Sequence, residues 1–181
     1  MAPMEQQMKQ NQQELLDKLA QLHTLVDRHV ERLLEVHGKY LQCKQGCCDC
    51  CQDDLTVFEI EAEQIRRHHA ALLKDQTPND SGQCAFLDDK GGCRIYEHRP
   101  YVCRTQGLPL RWLDEHQDGR QVEMRDICPL NVLDIPVELL VEDHCWTIGP
   151  IEEALSQLQE QWDGGEYRRI ALRSLFKTYA R

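Results

Sequence analysis

Cys43-Lys-Gln-Gly-Cys47-Cys48-Asp-Cys50-Cys51 places five cysteines within nine residues, and Cys84, Cys93, Cys103, Cys128 and Cys145 follow behind it. The opening residues, Met-Ala-Pro-Met-Glu-Gln-Gln-Met-Lys, contain no apolar signal core, and no run reaches membrane-spanning length. A cytoplasmic location with no membrane partner is therefore expected. In a reducing compartment, thiols at this density read as metal-binding or catalytic rather than as a disulfide framework.

Ten thiols exceed the four ligands of one tetrahedral zinc. The spacing also differs from a zinc ribbon with two separate Cys-x-x-Cys knuckles, since Cys47/Cys50 overlaps Cys48/Cys51 in one stretch and the later cysteines are singles. Side chains of adjacent residues in extended backbone point opposite ways. One member each of Cys47-Cys48 and Cys50-Cys51 is thus expected to ligate while the other packs or serves a second centre. Cys43-x3-Cys47-x2-Cys50 shares the spacing by which radical S-adenosylmethionine enzymes hold a 4Fe–4S cluster. Those enzymes need alternating strands and helices that build a barrel, and this chain has neither the length nor the pattern. The spacing does indicate that three thiolates can converge on a cubane.

The chain has 181 residues, 41% of them apolar, and a formal charge of −10; its mean hydropathy is −0.61. Such a chain can bury a core, and its net charge argues against a generic nucleic-acid surface. Charge is uneven. Residues 112–163 carry thirteen acids against Arg120 and Arg125, whereas residues 91–111 carry Arg94, Arg99, Arg104 and Arg111 against Glu97. Residues 166–181 are also basic.

Leu15, Leu19, Leu22, Val26, Val30 and Leu33 recur at steps of three and four and predict one amphipathic helix ending at Gly38. Packing on the domain is the plain reading of that stripe, and coiled-coil pairing with a second subunit is the alternative. Thr56 and Glu59 have capping-box spacing, ahead of a helix through Phe58, Ala62, Ile65, His69 and Leu72. His68 and His69 read as solvated or core residues, because no partner stands at i+4. Residues 75–83 form a loop. Cys84-Ala-Phe-Leu and Cys93-Arg-Ile-Tyr flank Asp-Asp-Lys-Gly-Gly as a short hairpin, and Asp118-Gly119 joins a second hairpin from residues 108–113 to 121–127. Asp134 with Pro136 marks a helix start, and Ile151, Ala154, Leu155, Leu158 and Trp162 mark another helix. A last helix after Asp163-Gly-Gly carries Ile170, Leu172, Leu175, Phe176 and Tyr179. The expected class is α+β, mostly helical, with amphipathic helices around an irregular cysteine-rich metal centre and short β-hairpins. Its expected regions are a long N-terminal helix over residues 1–41, a cysteine-cluster domain over 42–149, and C-terminal helices over 150–181 packing on it.

Cys43-x3-Cys47-x2-Cys50-Cys51, followed by Leu55-Thr56 and a Glu-rich helix, resembles the YkgJ-type cysteine-cluster family, described as a zinc- or iron-chelating domain. So does Cys84-Ala-Phe-Leu-x5-Cys93-Arg-Ile-Tyr-Glu-His-Arg99-Pro100-x2-Cys103-Arg104. The matching blocks run from about Cys43 to Leu110. The resemblance implies an iron–sulfur or zinc protein, in some members described as an oxidoreductase, with no assigned reaction. It places metal ligands at Cys43, Cys47, Cys50, Cys51, Cys84, Cys93 and Cys103. Cys48 falls where the family pattern does not demand cysteine and is accessory. Cys128 and Cys145 are added as late ligands.

Four thiolates around Zn²⁺ or a 4Fe–4S core leave a charge near −2, which needs nearby donors and positive charge. Arg94, Arg99 and Arg104 flank Cys93 and Cys103 and are the candidates to supply both, and Pro100 fixes the chain direction between those sulfurs. The all-cysteine set, the surplus thiols and the cubane-compatible spacing favour an iron–sulfur cluster, 4Fe–4S above others, over zinc. The favoured role is redox or metal handling. A structural zinc protein that binds a protein partner is the alternative. A thiol oxidoreductase built on Cys47/Cys50 lacks its βαβ context, and no hydrolase or P-loop motif is present. Catalytic residues, oligomeric state and the number of centres are not readable from the sequence.

Overall fold

The N-terminal apolar stripe is realised as α1, Ala2–His37, in a computed structural model that describes residues 2–116 and 118–177. Leu15, Leu16, Leu19, Val26 and Leu33 are its buried face, joined by His23 and His37. Residues 4–14 are exposed along their whole length. The helix ends where expected, with the Gly38 N–H bonded to Leu34 O at 2.7 Å.

The chain then forms β1 (Thr56–Phe58), α2 (Glu59–His68), α3 (Ala70–Asp75), α4 (Tyr101–Arg104), β2 (Leu110–Glu115), β3 (Gln121–Asp126), β4 (Trp146–Thr147), α5 (Pro150–Asp163), β5 (Arg169–Ala171) and α6 (Ser174–Lys177). With about 47% helix and 13% strand, the class is α+β and mostly helical. Two compact units emerge, each assembled from separated stretches. The first comprises Met1–Leu22, Lys44–Pro100 and Leu155–Arg181, and the second His23–Cys43 and Tyr101–Ala154.

In the first unit, β1 pairs antiparallel with β5, Val57 opposite Ile170. Thr56 therefore does not open a capping box. Its Oγ1 accepts from Arg169 Nε at 2.9 Å, and Phe58 is the N-cap of α2. The N–H groups of that helix end, which lack intrahelical acceptors, find others: Glu59 N–H on Arg168 O at 3.1 Å and Ile60 N–H on the fully buried Gln159 Oε1 at 3.1 Å. The helix expected to run through Leu72 breaks at His69 into α2 and α3. Val57, Ala62, Ile65, Phe86, Ile95, Leu172 and Leu175 lie at the centre of the apolar core. Arg173 ties the following loop down by donating to the Asp53 carboxylate and to the carbonyls of Asn79, Asp80 and Gln83.

Cys84–Leu87 and Cys93–Tyr96 do not form a full hairpin. One bridge joins Leu87 to Cys93, and residues 96–98 coil into a 3-10 turn. The last helix is also shorter than expected, because Ile170 lies in β5 and α6 begins at Ser174. Tyr179 lies outside the described residues.

In the second unit, the hairpin around Asp118-Gly119 forms as the sequence indicates, β2 against β3, with Gly119 at φ 79°. β4 adds parallel to β2. Trp146 is buried, its Nε1–H donating to Tyr101 Oη at 3.0 Å, and Tyr101 in turn bonds Glu152. The helix expected from Asp134 is a single 3-10 turn, Val137–Leu139. Among the described residues no helix is long and apolar enough to cross a membrane.

Candidate metal centre

Residues 44–51 contain no helix or strand and are folded as successive turns. Gly46, at φ 97°, lets the chain double back, with Cys47 N–H bonded to Lys44 O at 3.0 Å. A second turn closes around Asp49-Cys50, with Cys51 N–H on Cys48 O at 2.9 Å, and Cys84 N–H reaches Cys51 O at 3.0 Å. The second cysteine string is thereby stitched to the first by backbone hydrogen bonding.

All ten cysteines carry thiols. Cys84 belongs to the apolar core of the first unit, and Cys48, Cys51 and Cys93 pack against that same core. Cys93 feels Cys84 as a neighbouring charge. Burial pushes both thiols up; backbone N–H groups and Arg94 pull the other way, joined by Arg173 at Cys84 and Arg99 at Cys93. Cys50 behaves oppositely. It is exposed, and a hydrogen bond from the Cys51 thiol, helped by Arg99, lowers it to about 6. The vicinal pair Cys50-Cys51 therefore does not splay apart as it would in a strand. In the turn the two sulfurs meet. Cys48 sits under the Gly91 turn, where an added Cβ would stand 3.2 Å from its sulfur.

Of the three arginines expected beside the sulfurs, Arg94 and Arg99 act on thiols of the first unit. Arg94 is oriented by Gln76 Oε1 and Thr77 O, each at 3.1 Å, and Arg99 stacks over Tyr96 at 4.1 Å. Arg104 is in the second unit, buried, and paired with Asp27 at 2.5 Å.

Cys43, Cys103, Cys128 and Cys145 also belong to the second unit. Cys43 accepts from Asn131 Nδ2 at 3.6 Å, and the same amide donates to Gly107 O at 2.7 Å. Gly107 has φ 87°, and a Cβ there would overlap the Cys43 sulfur. Nothing in the sequence ties Asn131 to a cysteine 88 residues earlier, so this buried support escaped sequence reading. Cys145 is buried, with Arg125 Nη1 at 3.7 Å from its sulfur. Cys103 lies in α4, and Cys128 O accepts from Asn131 N–H at 2.9 Å. Among the described residues, no three His, Cys, Asp or Glu side chains already surround a common point as metal ligands do.

Residues 42–129 match the CxxCxxCC family model, described as a "putative zinc- or iron-chelating domain". This stretch carries the cysteine-cluster pattern that the sequence resembles. The CxxCxxCC domain so defined takes in nine of the ten cysteines, all but Cys145. No curated protein and no solved structure matches the chain. Metal binding of the zinc or iron kind follows at the level of the family, and the thiol-rich turns of the CxxCxxCC domain are its chemical counterpart.

Proposed function

We propose that Cys47, Cys50, Cys51, Cys84 and Cys93 supply the thiolates of a metal centre in the first unit, with a 4Fe–4S cluster as the favoured form. The observation that carries this reading is the gathering of Cys51, Cys84 and Cys93 on one apolar core, with Cys50 bonded to Cys51. The donor set fits either group chemically, since soft thiolates suit zinc and iron–sulfur clusters alike. Burial keeps Cys84 and Cys93 protonated until a metal displaces the protons. Cys50, already inclined to ionise, is the natural first ligand. Arg94 and Arg99 offset the negative charge of the loaded centre, and Cys48 serves as packing.

Bound iron–sulfur would supply one-electron chemistry, so the chain would pass electrons or carry metal. Cys43, Cys103 and Cys128, with Arg104 in the same unit, are the remaining candidates for ligation and charge compensation, whereas Cys145 is already held beside Arg125 and is left out of the proposed ligand set. Anaerobic purification followed by iron, acid-labile sulfide and zinc analysis tests the proposal. Iron and sulfide in equal amounts, with a reversible redox wave, are expected. A colourless protein with stoichiometric zinc and no sulfide would overturn the iron–sulfur reading, and a chain that retains no metal would overturn both forms.

One observation favours a second reading, structural zinc in a partner-binding module. Leu130, Val132, Ile135, Leu139 and Val141 are exposed within the acid-rich part of the second unit. Where exposed apolar residues form a contiguous patch, they are a common sign of a binding surface. Zinc without a redox wave, together with a captured protein partner that Val132→Asp releases, is the outcome that reading requires.

A further inference from the structure

Three imidazoles gather in the first unit, apart from the thiol chemistry. His68 ends α2, His69 is the break between α2 and α3, and His98 closes the 3-10 turn that follows Cys93-Arg-Ile. His69 Nε2 and His98 Nδ1 stand 3.1 Å apart. His68 stacks on His98 with ring centroids 3.8 Å apart and planes 13° from parallel. His68 is exposed, while His69 and His98 are half-buried. Solvent can therefore reach the cluster.

Two imidazole nitrogens bound to one ion at 2.0–2.1 Å stand about 2.9 Å apart at a right angle and about 3.3 Å apart in a tetrahedron. The observed separation falls between these values. We propose that His69 and His98 form a second metal site, independent of the thiols, that takes one divalent ion of the zinc, nickel or copper class through His69 Nε2 and His98 Nδ1. Imidazole suits these ions, whereas calcium and magnesium demand oxygen. Without metal, one ring donates its N–H to the other. Binding replaces that shared proton with the ion, and each ring carries its proton on the opposite nitrogen, so the neutral pair releases none.

Two further features favour binding. His68 holds the His98 ring plane from one side, which fixes the direction of its lone pair. Burial, followed by the neighbouring charges of His98 and His68, lowers the His69 pKa and keeps it in the neutral form that ligates. Among the described residues no third protein ligand joins the pair. Water completes the shell, and the ion exchanges readily.

The test uses the full chain as purified with its own metal, titrated calorimetrically with Ni²⁺. Even an outer-shell partner is worth about 10–100-fold in metal affinity, so losing a direct ligand should cost at least about tenfold. His69→Gln and His98→Gln should each weaken Ni²⁺ binding by that factor, while His116→Gln in the exposed β2–β3 turn should not. Unchanged affinity in both variants would overturn the proposal. A measurement on the unaltered chain guards against misfolded variants. Added Zn²⁺ should shift the ring-nitrogen resonances of His69 and His98 together and leave His116 in place. No shift at either ring would count against the site equally. Iron, sulfide and zinc contents measured before titration report on the thiol centre separately, so the two proposals can fail independently.

Discussion

The two units treat sulfur differently. In the first, thiols are concentrated on turns, pressed against one apolar core and pulled to opposite ionisation tendencies, Cys50 down and Cys84 and Cys93 up. In the second, Cys43 is held by Asn131 and Cys145 by Arg125, the latter inside a network of Arg111, Arg125, Glu123 and Glu142. That unit is organised by a β-hairpin and ion pairs, and its placed sulfurs are largely accommodated by protein groups. Density of cysteine alone is thus a poor guide. On the proposed assignment, the first unit's thiols await a metal, whereas Cys43 and Cys145 already rest against Asn131 and Arg125.

Chelation should break the comparison most forcefully. Thiolate ligation contributes about 10–16 kcal/mol in small zinc domains. Removing the metal should therefore strip hydrogen-exchange protection from residues 47–55 and 84–95 while the β2–β3 ladder keeps its own. Equal loss in both units would remove the distinction. Cys93→Ser comes next and should cut bound metal by more than half, as read by elemental analysis. Cys145→Ala should leave it unchanged.

Gly107→Ala should destabilise the second unit by about 1–3 kcal/mol in urea unfolding, because its φ favours glycine and the Cys43 sulfur blocks the new methyl. In the metal-free chain, alkylation should reach Cys50 at pH 7 at least about tenfold faster than Cys84 or Cys145, since Cys50 alone of these three is depressed. The linkage has a definite sign. A depressed thiol stabilises the metal-free fold fully above the ordinary thiol range, and that contribution fades as pH falls and is gone below about 6. The smallest effect expected is that of Cys145→Ala on stability, about 1–2 kcal/mol for the cavity left behind.

What could be read in advance follows from range. The α1 stripe, α5 and the β2–β3 hairpin are local patterns, and each formed where its spacing placed it. The pairing of Thr56–Phe58 with Arg169–Ala171 joins three-residue strands across more than a hundred residues, too short to announce themselves by alternation. It converted an apparent capping box into a strand and left the buried Gln159 to satisfy the start of α2. At the sulfurs, the spacing singles out the residues proposed as ligands, while the gathering of Cys48, Cys51, Cys84 and Cys93 at one apolar core is a property of the fold. The vicinal rule failed at Cys50-Cys51 because a turn, not a strand, carries them. His69 has no histidine at i+4, and the ring it meets, His98, lies 29 residues away, beyond the reach of a helical spacing rule.

Differential alkylation of the full chain, read cysteine by cysteine by mass spectrometry before and after chelation, tests the central claim most directly. Comparing the two states cancels protection due to burial alone. The largest gains in reactivity on metal removal should fall on Cys47, Cys50, Cys51, Cys84 and Cys93, with little change at Cys48 and Cys145. Gains confined to Cys43, Cys103 and Cys128, or absent throughout, would contradict the assignment of the metal to the first unit.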